Sequence, residues 1–87
     1  MQARGKIENL RQHRRATLSS YGRQQALLNV VDSQISAEQL QDLLAGVWNI
    51  TTIKKLKVDQ AEALISWAKE DDFVSEVEAV LAMLEED

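Results

Sequence analysis

Cysteine is absent from this sequence, which excludes a disulfide framework and any thiolate metal site. Proline is also absent and glycine occurs only three times. Turn-forming residues are therefore too scarce for a many-stranded sheet, and the composition favours helices with short connections. The same scarcity leaves no glycine-rich loop to cradle nucleotide phosphates. Long apolar runs are lacking, so no segment reads as a membrane span. The first twenty residues are basic and polar without an apolar centre, so they do not read as a secretory signal. These absences suit a cytoplasmic protein.

Histidine occurs once. A nucleophile–base pair or a zinc site needs several such groups brought together, and His13 lies instead among Arg11, Arg14 and Arg15. The favoured reading of His13 is a solvated helix residue. The run Glu70, Asp71, Asp72 could attract a hard cation, but no calcium-loop pattern surrounds it. A solvated turn with a helix cap is the simpler account. The expectation is a chain with no catalytic residues, no metal and no cofactor.

What the sequence does contain is 45% apolar and 28% charged residues in an 87-residue chain, the balance of a globular domain rather than a disordered one. A chain of this size buries only ~60–65% of its unfolded surface, so a few helix contacts must carry its stability. The net charge of −4 hides a division. Residues 1–30 carry six cations against the single acid Glu8, a net +5, whereas residues 31–87 carry four lysines against thirteen acids, a net −9. The division separates a basic N-terminal helical segment, 1–31, from an acidic three-helix module, 32–87, within one domain.

Periodicity predicts helix from Lys6 to about Val31, with a candidate bend or break near Ser19, Ser20, Tyr21 and Gly22; Gly22 could end a first helix, with Arg23 to Val31 forming a second. Ile7, Leu10, Leu18 and Tyr21 share a ~100° arc of that helix, and Arg4, Arg11 and Arg15 flank it. Ser36 and Gln39 form a capping box, and Ile35 and Leu40 stand at the positions of a hydrophobic staple. They open a helix over about 36–48 with Leu40, Leu43, Leu44 and Val47 inward and Gly46 weakening its last turn. Residues 49–56 read as an irregular or 3₁₀ connector from which Ile50, Ile53 and Leu56 plug the core. A third helix follows at about 58–69, with Val58, Ala61, Leu64, Ile65 and Ala68 inward. Asp71 or Asp72 caps a fourth at about 72–85, with Phe73, Val77, Val80, Leu81 and Leu84 buried and Glu76 and Glu78 on the wet side. The helix entrance at 35–40 is echoed at 56–61, where Lys57 replaces the serine cap. The fold expected is all-α, a compact bundle of about four short helices: a three-helix core plus the basic N-terminal helix.

Candidate binding residues follow from charge and aromatic content. Arg4, Arg11, Arg14 and Arg15 form an edge that either neutralises phosphates or merely solubilises the helix. Lys54, Lys55 and Lys57 make a second basic spot, again either functional or solvated. Helix 58–69 offers Asp59 and Glu62 where a DNA-reading helix would need Arg, Lys, Asn or Gln, so base readout is not expected. Trp48 extends an apolar face and reads as core. Trp67 lies off the Val58/Ala61/Ile65/Ala68 stripe and is a candidate for a part-exposed partner groove.

The stretch 36–68 carries a serine–glutamate helix start (Ser36, Glu38), a leucine pair (Leu43, Leu44), a connector with Ile50 and Leu56, and a glutamine–alanine helix (Gln60, Ala61, Leu64). It resembles small helical modules at the C-termini of phage and bacterial DNA-metabolism proteins, including single-strand annealing proteins of the RecT/Redβ kind. It departs from them at Lys57, where a threonine cap is usual, and Trp67 is not required by the pattern. The resemblance implies an accessory domain that recruits replication or recombination partners, with no catalytic residues. The leading expectation is a protein-docking module in which the basic N-terminal helix or the lysine connector grips an acidic partner segment and an apolar groove near Trp67 receives aliphatic anchors. Its alternatives are non-specific nucleic-acid binding by the arginine edge, and self-association of the basic end with the acidic helix of a second copy.

Overall fold

The computed structural model describes residues 3–13 and 20–85. It is all-α: α1 (Ala3–Arg11), α2 (Tyr21–Val31), α3 (Ala37–Trp48), a 3₁₀ turn (Ile53–Lys55), α4 (Val58–Ala68) and α5 (Phe73–Glu85). No β-strand occurs among the described residues, and no helix among them is long and apolar enough to cross a membrane. α2 packs chiefly on α4, and α1 packs on α5 and α3, with α3 and α5 also in contact. One hydrophobic cluster runs through all five helices, from Ile7 and Leu10 to Val77 and Val80.

Among the described residues five α-helices stand where about four are expected, because the N-terminal segment contains two helices and not one. α1 ends at Arg11, and α2 begins afresh behind Ser20, whose side chain accepts the Arg23 backbone N–H at 3.2 Å. A serine N-cap satisfies one of the donors that every helix start leaves open. With the new start, Ile7 and Leu10 stay buried while Tyr21 turns outward, 75% exposed. Leu18, the other member of the expected arc, lies outside the described residues.

From α3 onward the expected devices are present. Ser36 and Gln39 exchange both bonds of the capping box, at 3.1 and 2.9 Å, and the staple residues Ile35 and Leu40 are both buried. α3 stops at Asn49, which adopts the left-handed conformation at φ 57°, a cap that asparagine tolerates better than most residues. The Asn49 and Ile50 N–H groups then bond the Ala45 and Leu44 carbonyls at 3.0 and 3.1 Å. Gly46 has a role beyond helix weakening: a Cβ built there would stand 2.6 Å from a Leu84 methyl, so glycine lets α5 approach α3 closely. In the second helix entrance only half the box forms. The Lys57 N–H donates to Gln60 Oε1 at 2.8 Å, but an ammonium has no lone pair with which to accept the return bond.

Trp67 is corrected by the structure: it is 2% exposed and belongs to the core, not to a surface groove. On a wheel of about 100° per residue, the buried arc of α4 is centred on Leu64. Gln60, Ala61, Trp67 and Ala68 fall on it, while Val58 and Ile65 lie at its edge and are half-buried. Centring the stripe between Leu64 and Ile65 pushes Trp67 outside by a fraction of a turn. Its indole packs edge-on to Phe73 at 5.1 Å between centroids and donates to Glu76 Oε1 at 2.7 Å. The Lys6 ammonium lies over its ring at 4.7 Å, a cation–π contact from α1. Glu76, expected on the wet side, is therefore half-buried and engaged.

This knot yields a stability prediction. Trp67→Phe keeps an aromatic ring but loses the indole–carboxylate bond, and is expected to cost about 1–3 kcal/mol in urea denaturation. In a double-mutant cycle with Glu76→Ala, which removes the acceptor, the two losses should fall short of additivity by about 0.5 kcal/mol or more. Strict additivity would mean that the bond contributes nothing.

Candidate partner-binding cleft

Three helix ends meet in one place: the last turn of α1, the last turn of α3 and the first turn of α4. A helix leaves its final carbonyls without internal partners, and here side chains from the neighbouring helix supply them. Arg11, the last residue of α1, donates from Nε to the Val47 carbonyl at 3.2 Å and from Nη2 to the Gly46 carbonyl at 3.0 Å. Trp48, the last residue of α3, returns the favour by donating its indole N–H to the Leu10 carbonyl at 2.8 Å. Gln60 closes the third side. Its Nε2 donates to the His13 carbonyl at 2.8 Å while its Oε1 holds the Lys57 N–H, so both ends of this 4%-exposed amide are used. His13 Nδ1 stands 3.7 Å from Asp59 Oδ2, next to that junction.

These contacts frame an open cleft of about 490 Å³. Arg11, Lys55 and Lys57 line it, with Trp48, Asn49 and Gln60 between them. The lysines are held in place by the connector. Leu56 is fully buried and Ile50 nearly so, and between these two anchors the chain closes a 3₁₀ turn through Lys55 N–H to Thr52 O and Leu56 N–H to Ile53 O, both at 3.0 Å. Lys55 is thereby displayed at the rim. The C-terminal end of α3 would ordinarily lend negative potential to this region. Its exposed carbonyls are instead covered by the Arg11 guanidinium and by the N–H groups of Asn49 and Ile50, and the positive end of α4 opens beside Lys57. Among the described residues no carboxylate, imidazole or hydroxyl lines the cleft. It offers a ligand cations, amides and one aromatic edge.

The structure thus joins three of the residues that the sequence singles out in two separate groups, Arg11 from one and Lys55 and Lys57 from the other. Lys54 is exposed on the same turn but is not part of the cleft wall. Arg4 stands exposed on α1, away from it. Arg14 and Arg15 lie outside the described residues, so the arginine edge is represented in the structure by Arg4 and by an Arg11 bonded to α3. Trp48, Asn49 and Gln60 escape the sequence reading as site residues. The signal for Trp48 and Asn49 is their place at a helix end before a β-branched connector. Gln60 is visible only as the N3 partner of an incomplete capping box. Elsewhere, among the described residues, no group of three or more His, Asp or Glu side chains is arranged to hold a metal ion.

Arg11 is expected to behave as a structural residue as well as a cleft cation. Arg11→Ala should destabilise the domain by about 1–3 kcal/mol, because two helix-end carbonyls lose a charged donor. Arg11→Lys should recover less than half of that, since a point charge cannot serve both acceptors as the planar fork does. Arg4→Ala should leave the unfolding midpoint within about 0.5 kcal/mol of the parent. Equal effects of Arg4→Ala and Arg11→Ala would refute the assignment.

No family model, curated protein or solved structure matches this chain.

Proposed function

We propose that this chain is a non-enzymatic docking module whose basic cleft receives an acidic segment of a partner protein. The setting is replication or recombination, as the resemblance of residues 36–68 to accessory modules of DNA-metabolism proteins implies. One observation carries the docking reading: Arg11, Lys55 and Lys57 converge around Trp48 in a concave site that no carboxylate lines among the described residues. A carboxylate-bearing peptide meets there one cation already positioned, Arg11 with its two carbonyl bonds, beside Lys55 and Lys57, and such preorganisation lowers the cost of binding.

The shape favours an acidic peptide over a nucleic-acid backbone. The cleft is the size of a pocket that encloses a small ligand, about 300–1,000 Å³, not a track. Phosphate-backbone binding draws its strength from many cations in a row. Among the described N-terminal cations, Lys6 lies on Trp67, Arg11 bonds to α3 and Arg23 pairs with Glu62 at 2.6 Å, so these three are engaged within the fold.

The test is a titration of the isotope-labelled chain, followed by NMR, with an aspartate-rich peptide and in parallel with single-stranded DNA. The peptide is expected to shift the backbone signals of Trp48, Asn49 and residues 55–60, and to weaken as salt is raised. The double variant Lys55→Ala/Lys57→Ala should lose about tenfold in affinity, whereas Arg4→Ala should not change it. Absence of shifts with the peptide, or saturable DNA binding that survives the lysine substitutions, would sink the reading.

A further inference from the structure

A second recess adjoins the basic cleft, and it is of opposite character. The first half of α3, the end of α2 and the stretch Thr51–Ile53 enclose a groove of about 230 Å³ walled by Leu28, Val31, Leu40, Leu44 and Ile53. α3 and the 49–57 connector thus serve both recesses, the groove with Thr51–Ile53 and the cleft with Asn49, Ile50, Lys55 and Lys57. Among the described residues that line the groove only Asp32 is charged, and it comes from the α2 side. The exposed lysines Lys54 and Lys55 stand on the opposing contribution, the 3₁₀ turn.

Resting on the docking function proposed above, we infer that this groove is the second half of the same site and takes an aliphatic side chain of the acidic partner segment. The volume is below that of pockets enclosing a whole small ligand, about 300–1,000 Å³, and suits an anchor side chain. Charge selects the rest of the occupant. Carboxylates adjoining the anchor are drawn to the turn by Lys54, Lys55 and Lys57 and turned away from the α2 side by Asp32, so the acidic residues lie toward the basic cleft. Spacing follows from the turn. Ile53 and Lys55 are two residues apart in a 3₁₀ helix that rises about 2 Å per residue, and an extended ligand advances about 3.3 Å per residue. That separation of about 4 Å is little more than one residue of the ligand, so its acidic and aliphatic positions lie within about two residues of each other.

Three synthetic peptides test this by NMR and calorimetry on the intact chain: an aspartate run followed closely by a leucine pair, the same run with serines replacing the leucines, and the leucine pair flanked by serines. The first is expected to bind about tenfold more tightly than the second, the worth of burying most of one leucine side chain, and to shift the backbone signals of Ala37, Gln41 and Thr51. Ala37→Phe, at an exposed position on the groove wall, should remove that gain while leaving the serine-substituted peptide unaffected. Gln41→Trp, also exposed on the wall, makes the same comparison if Ala37→Phe folds poorly. Equal affinities of the first two peptides, or a leucine gain that neither variant removes, would overturn the inference while leaving acidic docking intact. If neither aspartate peptide binds, acidic docking itself fails, whatever the leucine pair does at the groove. Groove shifts that appear on concentrating the protein alone would assign the groove to a second copy and overturn the inference likewise.

Discussion

An α-helix leaves its last carbonyls unpaired, and in this chain three helix ends are closed by side chains from distant parts of the sequence. Trp48 and Gln60 serve the end of α1, Arg11 serves α3, and Gln34 Nε2 reaches the Ala68 carbonyl of α4 at 2.9 Å. A small all-helical domain without disulfides has few other ways to fix the angles between its elements. Apolar packing decides which faces meet, but it is non-directional. Hydrogen bonds at the ends set where each helix stops against its neighbour, and thus where the cleft cations stand.

The same economy accounts for the charge division. A net +5 in the first thirty residues suggests a basic surface, yet three of its cations act within the fold. Lys6 covers an indole, Arg11 closes a helix and Arg23 joins α2 to Glu62 of α4. The connector adds exposed positive charge of its own, with three of the four lysines of the acidic half of the chain within residues 54–57. Charge summed along a sequence locates ionic surface only when the groups have no internal acceptors.

Legibility followed the range of the interactions. The capping box at Ser36, the staple at Ile35 and Leu40, the buried set of α3 and the core-plugging connector are all local patterns, readable within a few residues. The helix pair at the N-terminus was harder, because a serine cap at Ser20 competes with a continuous apolar arc and wins. Trp67 was misplaced by a small rotation of the α4 stripe, an error that periodicity alone permits when Leu64 and Ile65 are adjacent. At the candidate cleft, the clustering of Lys54, Lys55 and Lys57 is local in sequence, whereas the convergence of Arg11 with Lys55 and Lys57 is not. That convergence depends on α1 ending where α3 ends, a tertiary fact with no signature in either segment.

α1 spans only nine residues, short of the dozen or more that an isolated helix in water requires. Its helicity is thus borrowed from the surface it lies on, and the guanidinium at its tip reaches the cleft only while the loan stands. Any molecule that grips that guanidinium in place must stabilise the docked helix by the same free energy that the docked helix contributes to holding the molecule. Occupancy of the cleft and amide-exchange protection of residues 3–11 are two readings of a single equilibrium.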